Sequence, residues 1–288
     1  MRGAKKSGPG FWAIKGKLEV YQNQTQFVIS KYTRTTIEKY REHQKAEPVL
    51  PRAFTIDIET LALLGFRERV GPKLEKSLRL GDMRLEQQQR YRENPATEEE
   101  LVYQLGSLHA TSGRVLSIAV HVGPIAGFTI EGLTQAHTEY AFGIDAEGNE
   151  HTERQLLTDF LNLMSDFDAE CDEIVGHNII GFDLPFIFQR CLVDGIAVKP
   201  FVNLGDYNVR GVFDTMRVWC LGDRRARVSL DDIAWALGIE SSKTADVEGS
   251  RLFELYQAGK LAEIREYNLN DVRVTRKVYE RMVASLGR

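Results

Sequence analysis

An apolar run that carries two acids on one face most restricts what this chain can fold into. In AFTIDIETLAL, residues 53–63, alternation puts Phe54, Ile56 and Ile58 on one face of a strand and Thr55, Asp57 and Glu59 on the other. Two like charges side by side repel, and burial without a partner adds to the cost. The strand therefore either lies at a wet sheet edge or meets a bound cation. D-x-E by itself is a cheap pattern, present four times: Asp57/Glu59, Asp145/Glu147, Asp168/Glu170 and Asp246/Glu248. The last three fall in segments that read as turns or loops, where carboxylates are solvated. Only the first sits in a strand.

With 288 residues, 43% of them hydrophobic, the chain can bury a core in one large domain or two small ones. The formal charge of −4 does not mark a polyanion binder, but its distribution is uneven. Residues 1–52 hold eleven Lys/Arg against four Asp/Glu, a net of +7, which leaves −11 for the rest. Such a segment is either a basic arm that meets a polyanion or a solvated tail. Cys171, Cys191 and Cys220 have neither the number nor the spacing of a disulfide framework or zinc knuckle. No secretion-type core and no apolar run near membrane-spanning length is visible, so a cytoplasmic protein without membrane association is expected.

Residues 1–52 read as an appendage, with a hairpin across 17–32 and a short helix across 33–46. Residues 66–104 form a charged, helical insertion in an otherwise continuous domain, 53–288. GRVLSIAVHVG and HTEYAFGID are strand-like, and DAEGNE is a turn. A helix follows from Thr152 as its cap, then the short buried strand DEIVGHN. DLPFIFQRCLVDG is helical with Pro185 in its first turn, and SLDDIAWALGI, SRLFELYQAGK and the segment from Lys260 onward complete a helical half. Strands first and helices afterwards describe an α/β sheet flanked by helices.

Two more elements carry chemistry. In IVGHNIIGFDLPFI, Asn178 leaves a strand and Phe182-Asp183 opens a helix. Asp183 is either a helix cap or a ligand, and Asn178 either faces a ligand or braces the turn. In REYNLNDVRVTRKVY, Tyr267 and Asp271 are four apart and project from one helix face. Among ten tyrosines, Tyr267 alone has an Asp at that spacing. A surface or capping pair is the plainer reading of it.

In chain order, D-x-E on a strand, N-x-x-x-F-D at a strand-to-helix turn and Y-x-x-x-D on a late helix resemble the DEDD superfamily of 3′–5′ exonucleases. The tyrosine places the resemblance in its DEDDy branch, close to stand-alone exonucleases related to the proofreading domain of family B DNA polymerases. The histidine branch has its histidine five residues before the last Asp, where this chain has Glu266. The resemblance runs from about Ala53 onward and includes LHATSGRVLSIAV and SLDDIAWALGIESSK.

The resemblance implies an RNase H-like mixed sheet and metal-dependent hydrolysis from the 3′ end of single-stranded DNA, releasing nucleoside 5′-monophosphates. It implies two divalent cations, Mg²⁺ or Mn²⁺, about 4 Å apart. Asp57 would bridge them, Glu59 and Asp271 would complete one site, and Asp183 would hold the second. Tyr267 would orient the attacking water, being a poor base with a phenol pKa of about 10. Thr60, Leu61, Asn178 and Phe182 would contact the terminal nucleotide. The rival readings are an RNase D-like exoribonuclease and a non-catalytic nucleic-acid-binding protein of the same fold. A replication or repair protein is the expected partner.

His177 reads as a structural strand-end residue rather than a ligand. Trp219 and Trp235 lie in apolar helical surroundings and are expected in the core. Arg224, Arg225 and Arg227 form either a solvated loop or a grip on phosphates.

Overall fold

A computed structural model describes residues 11–21, 24–35, 51–63, 106–127, 136–198, 204, 209–223, 225–240 and 252–287, with the backbone alone for 11–35. The expected insertion at 66–104, the helix beyond residue 35, Arg224 and the Asp246/Glu248 pair lie outside these residues. Strands β1 (Phe11–Tyr21) and β2 (Gln24–Thr35) pair antiparallel, so the hairpin expected within 17–32 is present and longer.

The main sheet has five strands: β3 (Arg52–Ala62), β4 (Gly113–Pro124), β5 (Thr138–Phe142), β6 (Glu173–Gly176) and β7 (Val212–Asp214). Their spatial order is β5-β4-β3-β6-β7. β4 lies antiparallel to both β3 and β5, whereas β6 runs parallel to β3 and β7. The sheet is mixed, as an α/β, RNase H-like exonuclease fold requires. β7 corrects the expectation that strands precede helices, because it follows two of the helices. Three residues are too few to show an alternation.

β3 is the central strand, but β6 flanks it only across Ala53–Thr55, so beside Asp57 and Glu59 that side of β3 meets Asp183 instead of a strand. On one face, Phe54, Ile56 and Ile58 join Val115, Ile118, Val120 and Ile174. That face is covered by α1 (Glu153–Leu163), through Leu156, Leu157 and Phe160, and by α2 (Asp183–Val193), through Leu184, Ile187 and Cys191. Thr152 caps α1 by accepting from the N–H of Gln155 at 3.3 Å, as its sequence signature predicts. The other face is crossed by α6 (Leu261–Leu286), with α3 (Thr215–Trp219), α4 (Leu230–Ala236) and α5 (Leu252–Gln257) beside it. Ala53, Val175 and Phe213 pack there against Ile233, Val278 and Tyr279.

The β3–β4 ladder shifts by one residue. Glu59 lies opposite Ser117 but Thr60 lies opposite Val115, which leaves Leu116 as an extra residue in β4. The N–H of Val115, just past the shift, donates to Glu153 at 2.7 Å. Glu153 in turn holds the buried Arg190 of α2 at 2.6 and 2.9 Å. One carboxylate thus ties the bulge, the start of α1 and the middle of α2. Trp219 and Trp235 depart from expectation: they are 38% and 83% exposed. On α4 the buried residues are Ile233 and Ala234, so the neighbouring Trp235 points outward. Among the described residues no helix is long and apolar enough to cross a membrane.

Candidate metal centre

β3 and α6 bring three acids together. Asp57 and Glu59 share the face of β3 that meets α6, and Asp271 comes from α6 itself. Carboxylate oxygens of Asp57, Glu59 and Asp271 lie within 4.8 Å of one another, the one such grouping of His, Cys, Asp or Glu among the described residues. Burial, followed by the charges of Asp183, Asp271 and Glu59, pushes the Asp57 carboxyl well above its usual range. Burial and the charges of Asp271 and Asp183 do the same to Glu59. The cluster is electrostatically unfavourable when every member is ionised. An all-carboxylate set suits a hard divalent cation, which prefers oxygen donors. These residues fit one.

Asp183 lies outside that grouping and comes from α2, on the opposite face, near enough for its charge to act on Asp57 and Glu59. β6 pairs with β3 only across Ala53–Thr55 and ends at Gly176. A turn at His177–Phe182 then folds back, and the first turn of α2 lies where β6 would have continued. Asp183, 3% exposed, accepts the N–H of Ile58 at 3.2 Å. Phe182 is the N-cap of α2 and makes no side-chain cap, so Asp183 is not the capping residue. Burial raises its carboxyl to about 7, partly offset by backbone N–H donors, including that of Ile58.

The turn before Asp183 has strict requirements. Asn178 adopts φ +57°, and a Cβ on Gly176 would fall 2.6 Å from the Cβ of Ile179. Asp214 of β7, 2% exposed, accepts the N–H groups of Asn178 and Ile180 at 3.1 and 3.2 Å and caps α3 at the N–H of Arg217. His177 bonds Thr215 and the carbonyl of Val228, each at 3.0 Å, the structural role expected of it.

Tyr267, one turn before Asp271, hydrogen-bonds that carboxylate, and burial with the charges of Asp271, Glu59 and Asp57 drives the phenol pKa far upward. Glu266, at the position diagnostic of the histidine branch, pairs with Arg273 at 2.6 Å. The expected nucleotide contacts divide. Phe182 is half-buried and packs on Phe186 with ring centroids 5.5 Å apart. Thr60 donates to the carbonyl of Ser107 at 2.8 Å. Leu61 corrects its expected role: it is 4% exposed, enclosed with Leu116, Leu255 and Ile264, and presents no surface to a nucleotide.

Two residues escaped the sequence reading. Asp214 is one. The other is Asn268, fully buried on α6, which donates to Asp57 Oδ2 at 2.7 Å. Its signal is a polar residue on the apolar stripe of the helix, directly after Tyr267.

Residues 113–288 match a family model described as a predicted 3′–5′ exonuclease related to the exonuclease domain of PolB. The match contains Asp183, Tyr267 and Asp271, and the sheet adds Asp57 and Glu59 to it. Over 134 residues, 45% of this chain, the sequence is 31% identical to the DNA polymerase delta catalytic subunit of Arabidopsis thaliana. That alignment spans 10% of the plant protein.

Proposed function

Because the chain belongs to the predicted 3′–5′ exonucleases related to the exonuclease domain of PolB, we propose that it removes nucleoside 5′-monophosphates from the 3′ end of single-stranded DNA. The observation that carries this reading is the carboxylate cluster. Asp57, Glu59 and Asp271 lie within 4.8 Å of one another, and Asp183 is anchored to the strand between the first two.

In this reading the four acids hold divalent cations, Mg²⁺ or Mn²⁺, which neutralise charge on the scissile phosphate and lower the pKa of a water. The protein's own part is to place the acids and to exclude rearrangement. Tyr267 keeps its proton at neutral pH because burial and carboxylates raise its pKa. With that proton donated to Asp271, its oxygen is left to accept from the attacking water and so orient it, and it does not act as a base. Asn178 and Phe182 stand at the turn that carries Asp183, where a terminal nucleotide meets the cluster. DNA is favoured over RNA by the likeness to a DNA polymerase catalytic subunit. The tyrosine-bearing motif supports a place in the DEDDy branch, and with it a proofreading or repair role, in the cytoplasm and with a protein partner.

The test is a time course on matched 3′- and 5′-labelled DNA and RNA oligonucleotides with Mg²⁺, Mn²⁺ or EDTA. Release of mononucleotide from the 3′ label of DNA, abolished by EDTA, is the expected result. Faster digestion of RNA would move the substrate to RNA. No hydrolysis of either with either cation would overturn the enzymatic reading.

A further inference from the structure

We propose that Asn268 and Ser117 form a positioning relay that fixes the Asp57 carboxylate for cation binding; this rests on the exonuclease reading. Asn268 Nδ2 donates to Asp57 Oδ2 at 2.7 Å, and Ser117 Oγ donates to Asn268 Oδ1 at 2.9 Å. Both Asn268 and Ser117 are 0% exposed.

The chemistry of the three groups assigns the direction of the chain. An ionised carboxylate only accepts, so the amide must turn its Nδ2 toward Asp57. That leaves Oδ1 as the acceptor, and the hydroxyl of Ser117 supplies the donor that locks the amide in this orientation. Ser117 lies opposite Glu59, at the last pair before the ladder shifts. The relay thus passes from β4 through α6 to β3 and reaches the acid that faces the other three. A side-chain amide with no exposed surface has no apolar reason to be there, and burying its polar groups unpaired would be costly. The relay accounts for it: a carboxylate repelled on all sides needs a donor to hold its plane while cations come and go.

The experiment measures Mn²⁺ binding to the full chain by titration calorimetry and by electron paramagnetic resonance, without substrate, for wild type, Asn268→Ala, Ser117→Ala and Asp57→Ala. Partners of metal ligands typically contribute 10–100-fold to metal affinity. Asn268→Ala should weaken Mn²⁺ binding within that range, and Ser117→Ala by several-fold in the same direction. In hydrolysis, the Mn²⁺ concentration for half-maximal rate should rise more than the saturated rate falls. A structural hydrogen bond alone would lower the melting temperature in EDTA and leave Mn²⁺ affinity unchanged; that outcome overturns the proposal. Should Asn268→Ala fail to fold, Ser117→Ala with wild-type affinity overturns it equally. If wild type itself shows no Asp57-dependent Mn²⁺ binding, the exonuclease reading fails, and the relay with it.

Discussion

Asp183 is held by Ile58, through a 3.2 Å hydrogen bond from the backbone N–H that lies between Asp57 and Glu59. The helix carrying the fourth acid is therefore located by the strand carrying the first two. The donor is backbone, so on the strand's side the spacing depends on no rotamer; on the helix's side it depends on that of Asp183 alone.

Replacing Asp183 separates this backbone bond from its charge. Asp183→Asn retains an acceptor for Ile58, whereas Asp183→Ala strands a buried N–H. Both variants should lose hydrolysis, but the alanine should be less stable than the asparagine by about 1–3 kcal/mol. Urea denaturation in EDTA measures the difference, and equal stabilities would contradict the role of the bond.

The acids should also make stability depend on pH and on metal. The Asp183 carboxyl is raised from an ordinary 3.8 to about 7, and Asp57 and Glu59 move in the same direction. A folded-state carboxyl raised above its unfolded value contributes stability below the unfolded pKa and loses it as pH rises through the folded one. In EDTA the melting temperature should therefore fall between about pH 4 and 7, and Mn²⁺ should restore it at the upper end. Asp57→Ala should flatten the slope, abolish hydrolysis and leave the fold intact. Melting curves across pH, with and without Mn²⁺, are the check.

Tyr267→Phe keeps the ring and removes the hydroxyl. Losing one positioned hydrogen bond of about 1–3 kcal/mol predicts a rate reduced about 10–100-fold at saturating metal. Mn²⁺ affinity should fall as well, since the phenol hydrogen-bonds the Asp271 carboxylate and such partners support metal ligands. A wild-type rate would remove Tyr267 from the mechanism.

The side chains of Arg190 and Glu153 are 5% and 9% exposed, and the two are joined at 2.6 Å. Truncating either leaves the other charge buried without its partner, and such losses cost about 3–5 kcal/mol. Arg190→Ala should therefore lower stability by that amount in chemical denaturation. Because Arg190 lies on α2 behind Asp183, activity per folded molecule should fall as well.

The acids were legible in the sequence because each stands in a short local pattern: a polar interruption of an apolar strand, a strand-to-helix turn, and an i, i+4 pair. The frame was legible for similar reasons. Thr152 caps α1, Pro185 falls in the first turn of α2, and β3 and β4 are largely buried apolar runs. What escaped was long-range. Asp214 ends a three-residue strand, and its turn partners lie 34 and 36 residues away. Asn268 is defined by a contact 211 residues distant. Leu61 and Trp235 were misjudged because neighbours in space decide exposure: the shifted ladder packs Leu61 under α6, and α4 spends its buried face on Ile233 and Ala234.

The extra residue in β4 has a consequence for how such a chain tolerates insertion and deletion. Pairing on either side of Leu116 runs as though that residue were absent: Glu59 meets Ser117, and Thr60 meets Val115. Deleting it would leave the remaining partners matched. Yet Leu116 fills the space among Leu61, Ile144 and Ile264 beneath the opening turn of α6. A single inserted leucine is thus a wedge under the helix that delivers Tyr267 and Asp271. Its loss would read as harmless in an alignment and be felt one turn later, in the reacting groups.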